Sequence, residues 1–270
     1  MPVVVFALIV QWAFEYLVRE GRDNYEMVKK RFTQASSYHD KQQFHAVVLM
    51  EDPKALRSFP LSTNGNVMVL ECMAISRMMG SGKTTVGKIL SEALAYSFVD
   101  SDKYVEEALG GSPVAQIFNQ FGESFFRDYE SDALRTFSLM PRQVVATGGG
   151  AVVRPINWKY MREGVTVYLD VPLDSLARRI AAVGTGSRPL LNFVSGDVYT
   201  KAFMGLFKIS KKRSLAYENA DATVYLQNIA AKLGVEDLSD ITPTAITLEV
   251  LLQIENFLQS NNGMSIPMFP

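Results

Sequence analysis

The chain has 270 residues, of which 48% are hydrophobic and 20% charged, with 27 Lys and Arg against 28 Asp and Glu. This composition excludes a chain that is disordered throughout and fits one large globular domain or two small ones. A net charge of −1 provides no overall basic field for holding nucleic acid, so any anion site must be local. Cys72 is the lone cysteine, which excludes an intramolecular disulfide and a Cys-rich metal cluster.

The first 65 residues are predicted to form an extension that ends in the turn-rich stretch 58–66. Its apolar run at 2–10 is interrupted by Gln11 and Glu15, short of the roughly 20 residues that cross a bilayer, so we expect no membrane span. The acidic residues that follow are unusual for a transit peptide, and no basic segment of a secretory signal precedes the run. We expect one domain over 66–260 and a flexible tail over 261–270.

Beyond residue 65, short apolar runs alternate with helical patterns, which is typical of βα units and a mostly parallel sheet. Strands are predicted at 67–75, 96–99, 143–146, 165–171 and 223–226. Helices are predicted at 84–95, 173–182, 199–217 and 243–259, with Thr242 capping the last. Ser112 as N-cap and Pro113 as first residue should open another helix, which Gly122 ends before a further helix follows. The polar loop 183–197 is long enough to be a lid.

The strongest motif is MMGSGKTT at 78–85, between a predicted strand and a predicted helix. Backbone N–H groups at a helix N-terminus bind phosphate, and glycines allow a close approach. In such a loop Lys83 reaches the β- and γ-phosphates and the Thr84 hydroxyl binds Mg²⁺, which predicts an ATP and Mg²⁺ site. A plain glycine turn with an exposed lysine is the alternative. Arg77 stands where the loop consensus begins with glycine.

Two carboxylates, Asp100 and Asp102, follow the second predicted strand, at the sheet edge where open parallel sheets bind ligands. One can face a metal and the other a substrate hydroxyl, although residues of this type also cap helices. Three glycines follow the third strand and would let a ligand approach the backbone: Gly148, Gly149 and Gly150.

Arginines provide the remaining candidates. Arg127 lies in a phenylalanine-rich stretch, where burial requires a carboxylate partner. An ordinary Arg127–Glu130 pair within the helix is the alternative to a ligand site. The other candidate basic residues are Arg179, Arg188 and Arg213. Each taken alone is more typical of a solvated surface, but an arginine in a lid can neutralise charge during phosphoryl transfer.

Six segments taken in order resemble shikimate kinases, and the sequence between them most resembles the plant enzymes: MMGSGKTTVGK, VDSD, FGESFFRDYES, ATGGGAVVRP, SRPLL and KKRSLAYENAD. The resemblance covers residue 78 to about 260 and is specific, because the order and spacing of all six segments match. It implies an α/β fold of the P-loop, nucleoside-monophosphate-kinase type: three α/β/α layers, a five-stranded parallel sheet and a lid. It also implies phosphorylation of the shikimate 3-hydroxyl by ATP with Mg²⁺. Residence in the plastid is implied too, with the cytoplasm as the alternative.

The same resemblance implies roles for individual residues. It places ATP at Gly80, Ser81, Gly82, Lys83, Thr84, Thr85, Arg179 and Arg188, with Arg179 against the adenine and Arg188 reaching the phosphates from the lid. It places Mg²⁺ at Thr84 and Asp100, and shikimate at Asp102, Arg127, Gly148, Gly149, Gly150 and Arg213. The implied catalytic residues are Lys83, Asp102 as the base, and Arg188. Two alternatives stay open: a non-catalytic regulatory relative, and another small-molecule kinase of this fold, such as a gluconate or nucleotide kinase.

Overall fold

The structure is a computed structural model that describes residues 72–76, 82–94, 96–184, 189–191 and 196–261. The chain divides into two units, residues 1–68 and 69–270, and every described residue lies in the second. The predicted extension over 1–65 and the tail beyond Asn261 lie outside the described residues. The predicted domain boundaries therefore stay predictions.

Five strands form one sheet in the described part of the chain: β1 (Cys72–Ser76), β2 (Ser97–Asp100), β3 (Gln143–Ala146), β4 (Val165–Asp170) and β5 (Ala222–Tyr225). Their order is β2-β3-β1-β4-β5, and every neighbouring pair is parallel. This confirms the predicted five-stranded parallel sheet. All four residues of β3 are buried, as expected for an interior strand of a sheet that is covered on both faces.

The described helices are α1 (Lys83–Leu94), α2 (Ser101–Ala108), α3 (Val114–Phe137), α4 (Pro155–Met161), α5 (Leu173–Val183), α6 (Val198–Tyr217), α7 (Leu226–Leu233) and α8 (Pro243–Asn261). The predictions for α1, α5, α6 and α8 are confirmed to within two residues at each end. Thr242 caps α8 as predicted, because its hydroxyl accepts the Ala245 N–H at 3.2 Å. The short helices α2, α4 and α7 were not predicted. None of the described helices is long and apolar enough to cross a membrane.

Helix α3 begins differently from the prediction. Pro113 rather than Ser112 is the N-cap residue, and no side chain at that position caps the helix. Instead the Val114 N–H donates to Glu106 Oε1 of α2 at 2.9 Å. An orphan donor at a helix start needs one acceptor, and here a carboxylate from the preceding helix supplies it.

The predicted break at Gly122 is confirmed within α3. Gly122 has φ 85° and ψ 166°, a conformation essentially restricted to glycine, so the span holds two helical segments joined at a kink. The second segment carries Arg127. The kink therefore sets the direction in which this part of the helix runs.

Only part of the predicted lid loop 183–197 is described, including a 3-10 turn at 189–191. Leu191 in this turn is fully buried against α6. A Cβ added to Gly205 of α6 would lie 2.7 Å from Leu191 Cδ2, so glycine is what lets the turn pack this closely.

Candidate functional site

Strand β1 leads into the phosphate-loop motif and then into α1. Gly82 has φ 84° and accepts the Val86 N–H at 3.1 Å, so it forms the first turn of the helix. Lys83 is half-buried at the start of α1, and Thr85 is exposed. The predicted site residues Gly80, Ser81 and Arg188, together with Arg77, lie outside the described residues.

Asp100 joins the first turn of α1 to the turn after β2. Its Oδ2 accepts a hydrogen bond from Thr84 Oγ1 at 2.7 Å. Its Oδ1 accepts from the backbone N–H groups of Asp102 at 3.1 Å and Lys103 at 3.4 Å, which makes Asp100 the N-cap of α2. The helix-cap interpretation of Asp100 is therefore correct, and the second carboxylate oxygen still faces the threonine.

Asp102 lies against the glycine turn after β3 and interacts with the charge of Lys83. Burial raises the pKa of its carboxyl, the charge of Lys83 opposes that shift, and Asp100 adds to it. A Cβ added to Gly148 would collide with Asp102 Oδ1 and lie 3.0 Å from Glu130 Oε1. Glycine at position 148 is thus what allows two carboxylates to approach this turn.

The turn at Gly148, Gly149 and Gly150 makes a different contact at each residue. The Gly148 N–H donates to Ser101 Oγ at 3.0 Å, and Ser101 is fully buried. A Cβ added to Gly150 would collide with the guanidinium of Arg127. The turn is therefore in contact with both the aspartate turn and α3.

Arg127 is buried and already paired with two carboxylates from its own helix. Its Nη1 donates to Glu130 Oε2 at 2.8 Å, while Nη2 and Nε donate to Glu123 Oε1 at 2.9 and 3.2 Å. The side chain of Glu130 is fully buried, but that of Glu123 is 47% exposed. The guanidinium also lies 5.4 Å from the ring centre of Phe126. The Arg127–Glu130 pair, which was the alternative to a ligand site, exists, and its burial distinguishes it from an ordinary surface pair.

Glu130 has one oxygen, Oε1, with no hydrogen-bond partner among the described residues. Burial raises the pKa of Glu130 to about 7, although Arg127 opposes the shift. The charge of Asp102 adds to the rise and that of Arg213 reduces it. The site thus holds a carboxyl that changes its charge near neutral pH.

Arg213 of α6 reaches the glycine turn from the other side. Its Nη1 donates to the Gly149 carbonyl at 2.8 Å, and Tyr217 Oη donates to the same oxygen, also at 2.8 Å. Arg179 of α5 makes its hydrogen bond to a different part of the chain. Its Nη2 donates to the Leu238 carbonyl at 3.2 Å.

Three residues that form hydrogen bonds with the glycine turn or with Arg127 had no predicted role: Ser101, Glu123 and Tyr217. Ser101 lies between the two aspartates, and Tyr217 lies one helical turn after Arg213, so i, i+4 spacing was the available signal for Tyr217. Glu123 precedes Arg127 by four residues, the same spacing. No local sequence pattern indicates that Ser101 and Tyr217 bind the backbone of the glycine turn or that Glu123 binds Arg127.

The profile of the family described as shikimate kinase matches residues 79–249. The chain belongs to the shikimate kinase family. The chloroplastic shikimate kinase 2 of Oryza sativa subsp. japonica is 59% identical over 197 residues, and the chloroplastic shikimate kinase 1 of Arabidopsis thaliana is 54% identical over 195 residues.

These alignments cover 73% and 72% of this chain and 64% of each plant shikimate kinase, so the chain spans less than two thirds of their length. Among solved structures, the shikimate kinase of Acinetobacter baumannii in complex with shikimate is 28% identical, with a TM-score of 0.56. That alignment covers 73% of this chain and 96% of the bacterial one. The shikimate kinase of Bacteroides thetaiotaomicron aligns at 27% identity and a TM-score of 0.57, covering 69% and 98%. The expected P-loop, nucleoside-monophosphate-kinase-like fold is confirmed.

Proposed function

We propose that this protein transfers the γ-phosphoryl group of ATP to the 3-hydroxyl of shikimate, giving shikimate 3-phosphate and ADP. One observation carries the proposal. The neighbouring strands β2, β3 and β1 are followed in the chain by Asp102, the glycine turn and Lys83, which lie at one edge of the sheet together with Arg127 and Arg213. This edge combines anion-binding groups for two substrates.

The nucleotide side of the site is the phosphate loop. The N-terminus of α1 and the Lys83 ammonium attract and orient the phosphates, and the positive φ of Gly82 lets the backbone enter the helix without a Cβ in the way. We assign the phosphates to Gly80, Ser81, Gly82, Lys83, Thr84 and Thr85. The family resemblance supports Arg179 at the adenine and Arg188 as a lid residue that neutralises phosphate charge.

The donor set at Thr84 and Asp100 fits Mg²⁺. Their oxygens lie 2.7 Å apart, and Mg²⁺ prefers a few such hard oxygen ligands together with water and phosphate. When bound, Mg²⁺ neutralises charge on the phosphates during transfer. Asp100 is kept in place for this role by the two N–H groups that it caps.

The acceptor side recognises a small hydroxy acid. Arg127 and Arg213 supply planar guanidinium groups, which bind a carboxylate through paired hydrogen bonds. Asp102 accepts hydrogen bonds from the hydroxyls and takes the 3-hydroxyl proton as that oxygen bonds to phosphorus and the bond to ADP breaks. Its raised pKa brings it closer to the working pH, where a general base is effective.

We also propose that the protein works in the plastid. The plant relatives are named chloroplastic, and the match to them extends over most of this chain. A fluorescent fusion of the full chain, expressed in leaf cells, should colocalise with chlorophyll. Uniform cytoplasmic fluorescence would contradict this location.

A coupled ADP-release assay tests the activity. The purified full chain should release ADP with shikimate and Mg·ATP, and not with gluconate or nucleoside monophosphates. Asp102→Asn should retain ATP binding but lose most turnover, on the order of 10²-fold or more, because it removes the proton acceptor without changing its shape.

The control variant is Asp132→Asn, which removes an exposed carboxylate on α3 that is outside the site. It should behave like the wild type. Near-normal turnover by Asp102→Asn would exclude the base role. A chain that bound shikimate without turnover would instead be a regulatory relative, and preference for another acceptor would identify a different kinase.

A further inference from the structure

Tyr217 makes a buried contact with the glycine turn that the proposed chemistry does not use. Its hydroxyl donates to the Gly149 carbonyl at 2.8 Å, and its side chain lies in the core at 4% exposure. Arg213 donates to the same oxygen at 2.8 Å. One backbone carbonyl therefore receives two hydrogen bonds, one from a residue expected to bind substrate and one from a neutral phenol.

The orientation of the Gly149 carbonyl also determines the orientation of the Gly150 N–H group. The peptide unit is planar and trans, so the Gly149 carbonyl and the Gly150 N–H point in opposite directions. Among the described residues, neither Gly149 N–H nor Gly150 N–H has a hydrogen-bond acceptor, whereas Gly148 N–H is bound to Ser101. The two free N–H groups are the donors that this turn can offer to a ligand.

Arg213 by itself is a poor anchor for the turn. A guanidinium that must bind a substrate carboxylate changes its hydrogen bonds when the ligand arrives, and a turn of three glycines is intrinsically adaptable. Tyr217 has no proposed contact with substrate, so its hydrogen bond need not change when the ligand binds. Its ring stacks on Tyr168 of β4, with the ring centres 4.4 Å apart and the planes 15° apart. Burial also raises the pKa of the phenol, which keeps the donating proton in place at working pH.

We propose that Tyr217 is a positioning residue: its hydroxyl holds the Gly149–Gly150 peptide so that the Gly150 N–H faces shikimate while Arg213 exchanges partners. This rests on the proposed function for the identity of the ligand. The orientation of the turn, in contrast, is a property of the free protein. The identity of the ligand and the positioning role of Tyr217 can therefore be tested separately.

The first experiment compares Tyr217→Phe with the wild type. Phenylalanine preserves the ring stacking and removes only the hydroxyl. We expect KM and Kd for shikimate to rise about three- to tenfold, the loss typical of one hydrogen bond, with KM for ATP unchanged within twofold. Thr247→Val is the matched control, since Thr247 is fully buried and its hydroxyl also donates to a backbone carbonyl, that of Pro243 at 2.9 Å, in α8.

The control should leave shikimate affinity unchanged. Equal losses of affinity for shikimate and ATP in Tyr217→Phe would show a general structural defect and overturn the proposal. Unchanged shikimate affinity in Tyr217→Phe would overturn it as well. If the wild type neither bound nor phosphorylated shikimate, the proposed function would fail, and the second experiment would decide the positioning role.

The second experiment needs no ligand. The chain has three Gly–Gly peptide groups, at Gly110–Gly111, Gly148–Gly149 and Gly149–Gly150. Labelling glycine with ¹³C at the carbonyl and ¹⁵N at the amide therefore gives three cross-peaks in an HNCO spectrum. Tyr217→Phe should shift the two peaks of the turn and leave Gly110–Gly111 in place, whereas Thr247→Val should shift none. Unmoved turn peaks in Tyr217→Phe would overturn the positioning role whatever the ligand is.

Discussion

At the scale of single residues, the site depends on close contacts that only glycine permits. Gly148 gives Asp102 and Glu130 room to approach the turn after β3, and Gly150 does the same for Arg127. Since Arg127 is buried and held by Glu130 and Glu123, its guanidinium has little freedom to retreat from an added methyl group. A side chain at either glycine would therefore displace the charged groups that contact it.

Gly150→Ala tests this coupling. The added Cβ should displace the Arg127 guanidinium, raise KM for shikimate about tenfold or more, and lower the free energy of unfolding by about 1–3 kcal/mol, the usual cost of overpacking. Both quantities are measured by steady-state kinetics and denaturant unfolding.

A double-mutant cycle identifies the cause. Arg127→Ala alone should raise KM for shikimate, because it removes a carboxylate-binding group. In the Arg127→Ala background, Gly150→Ala should lower the free energy of unfolding little further, since the guanidinium that the new Cβ would meet has been removed. Additive losses in the double variant would contradict the steric explanation, because residues in contact are expected to be non-additive.

At the scale of secondary structure, the kink in α3 determines where Arg127 lies. Gly122 has φ 85° and ψ 166°, and a side chain in that region of backbone space costs about 1–3 kcal/mol. The helix therefore changes direction five residues before the arginine. Without this change of direction, the arginine would not keep its place beside the glycine turn.

Gly122→Ala should lower the free energy of unfolding by about 1–3 kcal/mol and weaken shikimate binding more than ATP binding. The change is measured by urea unfolding and by titration with each substrate. Ser124→Ala, an exposed position two residues further on, should stay within about 0.5 kcal/mol of the wild type. An alanine at 122 that left both stability and shikimate affinity intact would show that the kink is dispensable.

At the scale of the whole molecule, the buried carboxyl groups make stability depend on pH. Burial raises the pKa of Glu130 from an ordinary 4.5 to about 7, so between these values the folded protein binds more protons than the unfolded chain. Stability therefore falls as the pH rises through this window, by at most about 1.4 kcal/mol per pH unit for one proton. Asp102, whose pKa is raised by burial too, contributes with the same sign.

Glu130→Gln should flatten this dependence. Below about pH 4.5 the wild type and the variant should differ by a constant amount, and the wild type should then lose stability relative to the variant up to about pH 7, beyond which the difference levels off. Chemical unfolding of both proteins from pH 4 to 8 measures the difference. A constant difference over that range would mean that Glu130 does not titrate there.

Sequence reasoning predicted most of the elements because their signals are local. The strand at 143–146 matches the prediction residue for residue, and Thr242 and Gly122 act as the expected cap and break. The described part of the first strand, Cys72–Ser76, ends one residue after the predicted end, and its predicted start at 67 lies outside the described residues. The capping of α3 was predicted wrongly because the acceptor, on Glu106, comes from another helix.

The sequence by itself determined the chemistry that is available: a phosphate loop, two aspartates separated by one residue, three successive glycines and the arginines. These are short-range features, and their spacing along the chain is sufficient to recognise them. Their placement depends on the sheet order β2-β3-β1, which puts turns from distant parts of the chain next to one another. Only the tertiary structure decided that Gly148 lies beside Asp102, that Arg127 is buried while paired with Glu130 and Glu123, and that Tyr217 reaches a carbonyl 68 residues away in sequence. Contacts of this kind follow from strand order and helix direction, which no local pattern encodes.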